Sequence, residues 1–373
     1  MITEVVADSF HQMGWRTEVL DCMSLLGRRS PRIGDGVFRG LISVPTLYDG
    51  IHFSHLRTGS RVARLMDRLA GDRLVPPLSE YLGGRRFDVV LATFATGASA
   101  IAGLLGDQDP RSRPATVVLC TDVAPHSLWV RSGIDLFLVT SESAAAAVRR
   151  YSSCARVSVV PPPVRSAFYE APARGTARAD LGVSAADRCV LLMGGGWGLG
   201  PLARTARLLA DRDVTVLAVA GRNERLAQVL RREAGRHPRI RSFGYTEEIP
   251  KLMAAADLVL TTPGATTCNE ARVVGRRLLL LDVVPGHGRD NIQHELELGS
   301  ADVCDPDPYR LASGVLAALE RAASQHAVQA SKGRFSRELA AALASIGVGK
   351  EAGRHKPPNH ARPSATIEEI SLQ

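Results

Sequence analysis

The stretch Thr261-Thr-Pro-Gly-Ala-Thr-Thr-Cys-Asn-Glu270 decides how the second half of this chain should fold. The residues Asp257 to Thr261 predict a buried parallel strand, and Ala265 to Val274 predict the helix that follows it. Gly264 stands in the turn between them, so the amides near Thr266 and Thr267 should point at whatever lies above the end of the strand. Glu270, about one helical turn further on, would then accept hydrogen bonds from a ribose diol. The stretch therefore predicts a nucleotide site.

An ordinary strand-to-helix turn would explain the same residues if they stood alone. Thr266 or Thr267 would then cap the helix, and Glu270 would be a surface residue favoured by the positive end of the helix dipole.

A second glycine-rich turn makes a binding site the better interpretation. Gly194-Gly-Gly-Trp-Gly-Leu-Gly200 follows the apolar run Cys189 to Met193 and precedes a predicted helix that starts at Pro201. Glycine lets the backbone approach a phosphate closely and adopt positive φ, which residues with a Cβ rarely do. The chain thus contains two strand, turn and helix segments of the kind that bind phosphate groups.

The details of the two turns disfavour a nicotinamide or flavin dinucleotide. In the register G-x-G-x-x-G, the third glycine would fall on Leu199. The next predicted strand, Val214 to Val219, is followed by Ala220-Gly-Arg-Asn223 and not by an acidic residue. A nucleotide-sugar diphosphate is therefore the preferred ligand.

An ordered series of motifs resembles the monogalactosyldiacylglycerol synthase family, and is also similar to the related N-acetylglucosaminyl transferase of lipid II synthesis. The resemblance runs from about residue 3 to residue 320 and rests on Thr121-Asp-Val-Ala-Pro-His-Ser-Leu-Trp129, Val159-Val-Pro-Pro-Pro-Val164, GGGWGLG, Gly221-Arg-Asn, Phe243-Gly-Tyr, PGATTCNEA and PGHGRDN. It implies an α/β protein of the GT-B class, with two doubly wound Rossmann-like domains facing across a cleft. It further implies inverting hexosyl transfer from a UDP-sugar to a lipid or other amphiphilic acceptor at the cytoplasmic membrane face, without a bound metal or other cofactor.

The donor site is expected in the second domain. Its candidate residues occupy the two turns, the segments after the neighbouring strands, and the PGHGRDN segment. They are Gly194, Gly195, Gly196, Trp197, Gly198, Arg222, Asn223, Phe243, Tyr245, Gly264, Thr266, Thr267, Glu270, Arg289, Asp290, Asn291 and Gln293.

The catalytic base is expected in the first domain, because inverting transfer needs a group that takes the proton of the acceptor hydroxyl. Asp122 and His126 follow the predicted strand Thr116 to Cys120 and are the candidates. Trp129 is more typical of a core residue, although it could also stack on an acceptor.

Composition agrees with a two-domain protein that acts near a membrane surface. The chain has 373 residues, 45% of them apolar, and six cysteines without metal-ligand spacing, which indicates reduced thiols in the cytoplasm. The net charge of +8 comes mostly from arginine. Arg57, Arg61, Arg64 and Arg68 recur on one predicted helical face, which is either a solvated face or a contact for anionic lipid headgroups.

The predicted domains are residues 1–163, on the acceptor side, and residues 164–346, which bind the nucleotide sugar. Residues 347–373 lack an apolar period and are predicted to form a disordered tail. Residues 3–13 already read as a helix, so the first, central strand of the N-terminal sheet is expected to be missing. The family's acceptor loop would follow that strand.

Two alternatives remain open from the sequence. The protein could be a natural-product glycosyltransferase with a soluble acceptor. It could also be a nucleotide-sugar-binding protein without turnover, because of the missing strand. The residues do not distinguish galactose, glucose and N-acetylglucosamine.

Overall fold

The computed structural model describes residues 2–26, 54, 60–322, 331–349 and 364–369. The chain forms two compact units, which consist of residues 1–163 with 332–373 and of residues 164–331. Both units are α/β, and each contains a parallel sheet of six strands.

The first stretch of chain alternates strands and helices, as its apolar pattern predicts. Its elements are α1 (Ile2–Gln12), β1 (Arg16–Asp21), α2 (Cys22–Leu25), α3 (Arg61–Leu82), β2 (Val89–Ala92), α4 (Ala95–Leu105), β3 (Ala115–Cys120), β4 (Leu136–Val139), α5 (Glu142–Tyr151) and β5 (Val157–Val159).

The second unit repeats the same alternation. Its elements are α6 (Ser166–Tyr169), α7 (Arg174–Asp180), β6 (Arg188–Met193), α8 (Leu202–Ala210), β7 (Val214–Val219), α9 (Glu224–Arg236), β8 (Ile240–Phe243), α10 (Ile249–Ala255), β9 (Leu258–Thr261), α11 (Ala265–Val274), β10 (Arg277–Leu281), α12 (His287–Glu297), β11 (Ala301–Cys304) and α13 (Pro308–Ala322).

The chain then returns to the first unit through α14 (Arg334–Ser345) and β12 (Ser364–Glu369). The strand order of the first sheet is β1-β12-β2-β3-β4-β5, and all of its pairings are parallel. Strand β12 therefore lies between β1 and β2, in the interior of the sheet.

Helices cover both faces of the first sheet, which explains why its central strands are apolar at every position. Along β2, Val89 and Leu91 pack into the core under α1 and α14, whereas Val90 and Ala92 pack into the core under α3, α4 and α5. All four side chains are buried.

The second sheet has the order β11-β10-β9-β6-β7-β8. Helix α8, which follows β6, packs into the core on one face, and α11, which follows β9, packs into the core on the other. Because the connections leave β6 and β9 in opposite directions, the topological switch point of this sheet lies between these two strands.

A buried arginine and an aspartate join neighbouring strands at the amino end of each sheet. In the second unit, Asp257 accepts hydrogen bonds from Arg178 at 2.8 Å and from the amide of Cys189 at 2.9 Å. In the first unit, Asp135 accepts from Arg113 at 2.7 Å and from the amide of Thr116 at 2.8 Å. These networks satisfy charged groups far from the carboxyl ends of the strands, so we assign them a structural role.

Two boundary expectations from the sequence are wrong. The second domain does not extend to residue 346, because α14 packs against α1 of the first unit through Phe335, Leu339 and neighbouring apolar residues. The expectation of a disordered tail over residues 347–373 is wrong for residues 364–369, which form β12. The weakly apolar sequence of β12 gives no periodic signal, and only its place between two strands makes it a strand.

The expectation of a missing first strand has a structural answer. Helix α1 precedes β1, as the sequence predicts, so the N-terminal segment supplies no central strand among the described residues. The central position is nevertheless filled, because β12 occupies it from the other end of the chain.

The arginine stripe is described only in part. Arg57 lies outside the described residues, and helix α3 begins at Arg61, which is exposed. For Arg64 and Arg68, the description covers the backbone of α3 alone. Within the described part of the chain, no helix is long and apolar enough to cross a membrane.

Candidate functional site

The two glycine turns predicted from the sequence meet at the switch point of the second sheet. Strands β6 and β9 are direct neighbours, with Leu192 paired to Leu260, so the turns that follow them leave the same edge of the sheet side by side. A Cβ placed on Gly195 would lie 3.2 Å from Oγ1 of Thr262, which shows how closely the two turns approach. Open α/β sheets bind their ligands at this position.

The turn after β6 has a backbone that only glycine allows. Gly195 and Gly198 adopt positive φ of 66° and 62°. A Cβ on Gly194 would lie 2.3 Å from the carbonyl oxygen of Leu199, because the Leu199 amide folds back to donate to the Gly194 carbonyl at 2.8 Å. The result is a tight loop of bare backbone.

The segment after β7 fixes this loop in place. The amide of Arg222 donates to the carbonyl of Gly196 at 3.0 Å, and the Asn223 side chain donates to the carbonyl of Trp197 at 3.1 Å. Asn223 also caps α9 by accepting from the amide of Leu226 at 3.0 Å. Both ends of the Asn223 amide are thus engaged, so we assign this predicted ligand-binding residue a positioning role.

The N-terminus of α11 presents backbone donors. Gly264 is the N-cap residue in extended conformation, and no side chain within the described residues caps the helix there. The alternative interpretation, in which Thr266 or Thr267 caps the helix, is therefore wrong. The first amides of an α-helix have no partner within the helix and carry its positive dipole end, so they attract an anion.

Glu270 is buried on α11 and is paired with an arginine that the sequence did not point to. The side chain is 4% exposed, and its Oε1 accepts a hydrogen bond from Nη2 of Arg165 at 3.1 Å. Burial raises the pKa of Glu270 to about 7, although the positive charge of Arg165 acts in the opposite direction. The alternative of a solvated surface carboxylate is therefore wrong.

An exposed aromatic and a cation lie at the ends of the next two strands. The guanidinium carbon of Arg222 stacks over the ring of Tyr245, 5.1 Å from its centre, and Tyr245 is 66% exposed. Phe243, the last residue of β8, is half-buried against the core. An open aromatic surface of this kind can stack on a planar base.

Asn291 connects the PGHGRDN segment to the site more directly than Arg289, Asp290 and Gln293 do. Asn291 is buried and donates to the carbonyl of Pro263 at 2.7 Å, which joins α12 to the turn after β9. Arg289 is exposed beside Asp282, with 4.0 Å between the charged atoms, and Asp290 is half-buried. Gln293 is exposed and bonds to Glu297 along the helix, so its side chain has a local partner.

In the first unit, the predicted base residues form a cluster after β3. Oδ2 of Asp122 accepts a hydrogen bond from the indole nitrogen of Trp129 at 2.7 Å. Nε2 of His126 lies 3.9 Å from the same oxygen, and the amide of Leu128 donates to Nδ1 of His126 at 3.3 Å. The neutral ring of His126 therefore carries its proton on Nε2, which faces Asp122.

The geometry of this cluster separates the roles of its members. Trp129 is 1% exposed and packs edge-on against Phe94 at 6.0 Å, so it is a core residue and does not offer a stacking surface. Asp122 and His126 are partly accessible. Between them, Asp122 is the better proton acceptor, because Nδ1 of His126 already accepts a hydrogen bond.

Within the described parts of the chain, no group of three or more His, Cys, Asp and Glu side chains is close enough to hold a metal ion.

Comparison with known proteins agrees with this geometry. Residues 13–164 match the model of the monogalactosyldiacylglycerol (MGDG) synthase family, and residues 192–338 match that of the glycosyltransferase family 28 C-terminal domain. The resemblance to the MGDG synthase family is confirmed. The MGDG synthase match lies almost entirely in the first unit. The family 28 match lies mostly in the second unit, contains both glycine turns, and ends within α14 of the first unit.

Individual relatives share about half of their length with this chain. The processive diacylglycerol beta-glucosyltransferase of Bacillus pumilus is 28% identical over 194 residues, which are 50% of each chain. The probable MGDG synthase 2 of Oryza sativa subsp. japonica is 30% identical over 211 residues, 53% of this chain and 45% of the relative. The chain thus spans about half the length of the curated relatives it matches.

A solved structure confirms the fold class. The UDP-GlcNAc 2-epimerase of Neisseria meningitidis, solved with UDP-GlcNAc bound, superposes with a TM-score of 0.54 over 75% of this chain and 82% of that chain. At 11% identity, this likeness shows the fold alone. It is the fold of two doubly wound α/β units predicted from the sequence.

Arg165 is the main site residue that the sequence did not reveal. It is separated from Glu270 by 105 positions and follows the Pro161-Pro-Pro163 run, which indicates a linker and not a site. The sequence signal for Arg165 was a positively charged residue just after the predicted linker. Many surface arginines stand in such a position.

The glycine turn can be tested without any ligand. The change Gly194→Ala should destabilise the second unit by about 1–3 kcal/mol, because its Cβ would overlap the backbone of Leu199. The matched control is Gly196→Ala, since φ there is not positive and nothing lies within 4 Å of the added Cβ. Urea unfolding measures both variants, and equal stabilities would contradict the described turn.

Proposed function

We propose that this protein is an inverting glycosyltransferase that moves a hexose from a UDP-sugar to a lipid or other amphiphilic acceptor. One observation carries the proposal. At the switch point of the second sheet, a bare glycine turn, an uncapped helix N-terminus and the buried carboxylate of Glu270 come together. A nucleoside diphosphate presents the complementary groups, namely two phosphates and a ribose diol.

In this proposal, Glu270 binds the ribose hydroxyls. Both are donors, and an ionised carboxylate accepts such hydrogen bonds more strongly than a neutral group does. Arg165 holds one carboxylate oxygen and favours the charged form of Glu270. The exposed ring of Tyr245 and the cation of Arg222 offer a surface for the uracil base.

The diphosphate would lie over the two turns. The glycine turn uses the amides of Gly198 and Leu199 in its own hydrogen bonds, so those of Gly195 and Gly196 are the donors that we assign to the phosphates. The first amides of α11 add the positive end of a helix dipole. These fixed donors can stabilise the charge of the departing UDP, with Arg222 or Arg289 as an additional cation. We therefore propose that transfer needs no divalent metal.

The hexose would contact the start of α12, where Asp290 is half-buried. Asn291 holds the turn after β9 through Pro263, so it would orient this region instead of reading a sugar hydroxyl.

Transfer itself would need a base, and we assign this role to Asp122. The acceptor oxygen forms a bond to the anomeric carbon while the bond from that carbon to UDP breaks, and the acceptor proton passes to the carboxylate. The Trp129 indole binds Oδ2, which leaves Oδ1 to receive the proton. His126, with its Nε2 proton facing Asp122, would stabilise the charged carboxylate.

The names of the relatives support the choice of acceptor class. Those in the comparison are named as diacylglycerol glucosyltransferases and MGDG synthases, so an acceptor of the diacylglycerol type is the first to test. We propose that the protein works at the inner face of the cell membrane, as a peripheral protein. A soluble natural-product acceptor, and binding without turnover, are the alternatives that the experiments below distinguish.

The assignment of Glu270 predicts a pH-dependent affinity for UDP. The ionised carboxylate accepts from the ribose more strongly than the protonated form does, and the pKa of Glu270 is about 7, so affinity should be highest at pH values above 7 and should fall below pH 7. At pH 8, Glu270→Gln should weaken binding by about 1–3 kcal/mol, or roughly 5- to 150-fold. Isothermal titration calorimetry between pH 5.5 and 8.5 measures both effects.

The control for this experiment is Glu320→Gln, an exposed carboxylate on α13. It should retain the wild-type affinity and pH dependence, including any part that comes from titration of the ligand. Equal affinities for wild type and Glu270→Gln at pH 8 would contradict the ribose assignment.

The assignment of Asp122 predicts a loss of turnover without loss of donor binding. We expect Asp122→Asn to lower kcat for sugar transfer to diacylglycerol by about 100-fold or more, because the amide cannot accept the proton. Trp129→Phe, which removes the indole N–H donor and part of the buried ring, should lower kcat less and leave the KM for the UDP-sugar unchanged. Radiolabelled transfer assays measure both variants.

The same assay tests the proposal on metals and on turnover. Wild-type transfer should persist in EDTA, and loss of activity that Mg²⁺ or Mn²⁺ restores would show that the leaving charge is stabilised differently. Binding of UDP with no transfer to any acceptor would favour the binding-protein alternative.

The arginine stripe of Arg57, Arg61, Arg64 and Arg68 is proposed to attach the protein to anionic membranes. Each basic residue near such a surface contributes about 1 kcal/mol, screened over about 8 Å at about 0.15 M salt. A quadruple Arg→Gln variant should therefore sediment less with anionic vesicles. The charge-matched control changes Arg225, Arg231, Arg232 and Arg236, which are exposed on α9. If both variants lose vesicle binding equally, net charge alone explains the attachment and the position of the arginines does not matter.

A further inference from the structure

The interior of the first sheet is completed by a strand from the far end of the chain. Strand β12 is hydrogen-bonded on both sides, with Arg16 to Asp21 paired to Ser364 to Glu369 on one side and Val89 to Ala92 paired to Ala365 to Glu368 on the other. Both pairings are parallel. A groove between β1 and β2 therefore accepts one strand through its backbone.

Residues 364–369, which occupy this groove, follow the whole second unit in the sequence. The chain leaves the first unit after Pro163 and returns with α14, whose Phe335 and Leu339 pack beside Phe10 of α1. The Ser336 hydroxyl bonds to the side chains of Ser9 and Gln12 at 3.0 Å. Helix α14 thus tethers the C-terminal segment to the first unit close to the groove.

The sequence of β12 is weak for an interior strand of a parallel sheet. Strands β2, β3 and β4 read VVLA, ATVVLC and LFLV, whereas β12 reads SATIEE, in which only Thr366 and Ile367 favour a strand. We therefore expect backbone pairing and the tether provided by α14 to supply most of its binding.

The position of the groove in the sheet is relevant to ligand binding. Helix α1, which precedes β1, lies on one face of the sheet, and α4, which follows β2, lies on the other. The groove is next to β2, whose last residue Ala92 is paired with Glu368 of β12. Open α/β sheets bind their ligands outside the carboxyl ends of the strands, which is the edge where β12 ends.

We propose that the groove between β1 and β2 is a strand-binding site, and that its occupant, residues 364–369 of this chain, is an exchangeable segment on which the acceptor side of the enzyme depends. Docked, the segment pairs the backbone groups of β1 and β2 and completes the sheet. Released, it leaves both edges unpaired inside the sheet, where unpaired backbone groups are not tolerated. The link to sugar transfer rests on the proposed function, whereas the strand-binding site does not.

Hydrogen exchange on the full-length protein tests the strand directly. Ile367→Pro removes an N–H from the middle of β12 and should raise the exchange rates of the amides of β1 and β2 by about tenfold or more. Ile367→Val keeps the ladder, and Ala352→Pro places proline outside β12, so both controls should exchange like wild type. Strands β6 and β9 of the second unit serve as an internal reference and should not change.

A synthetic peptide decides whether the segment is exchangeable. In a variant that ends at residue 359, a peptide of residues 360–373 added in trans should restore the protection of β1 and β2 and the rate of transfer. The same peptide with proline at position 367 should restore neither. Wild-type protection in the Ile367→Pro protein, or equal rescue by both peptides, would overturn the proposal.

Failure of the proposed function would look different. If no variant transfers sugar but the exchange data behave as described, the strand-binding site stands and the enzymatic assignment fails. UDP affinity, which depends on the second unit, should be the same in all of these variants. If the shortened chain does not fold, the comparison of Ile367→Pro with Ile367→Val in the full-length protein still decides the pairing of β12.

Discussion

The backbone of an interior parallel strand must be hydrogen-bonded on both sides, and the architecture of the first unit depends on this constraint. Strand β2 needs a partner on the side that faces β1, because it lies inside a sheet that helices cover on both faces. Residues 364–369 meet that need with a sequence that has little strand preference of its own. Pairing, and not side-chain character, therefore makes this segment a strand. As a result, β1, from the first residues of the unit, and β12, from its last, pair within one sheet.

Strand topology also underlies the ligand site that we propose in the second unit. Its sheet is built from one continuous segment, and its switch point lies between β6 and β9. The turns after these strands leave the same edge of the sheet. Glycine at positions 194 and 198 permits the tight turn, because a Cβ there would meet protein atoms, and Gly195 and Gly198 adopt positive φ. The amides of Gly198 and Leu199 bond within the turn, so those of Gly195 and Gly196 are the donors that we assign to the proposed ligand.

Burial gives the charged groups of the site their properties. Glu270 would titrate as an ordinary carboxylate in water, but burial raises its pKa to about 7, and the guanidinium of Arg165 opposes that shift. In the first unit, a buried indole fixes one oxygen of Asp122. In both cases a residue from elsewhere in the unit prepares a carboxylate that the sequence had already singled out. The structure adds the partners that determine what each carboxylate can do.

The sequence by itself determined the fold class, the two glycine turns, the strand and helix around Glu270 and the resemblance to a glycolipid-synthase family. These are local signals, because apolar runs and glycine positions act through nearby backbone geometry. Tertiary structure alone decided the partner of Glu270, the positioning roles of Asn223 and Asn291, and the place of α14 and β12. Each of these depends on contacts between residues far apart in the chain, such as Arg165 with Glu270 or Val19 with Ile367. No local pattern encodes them, and for β12 the local pattern indicates disorder, because the free energy that makes it a strand comes from the groove that receives it.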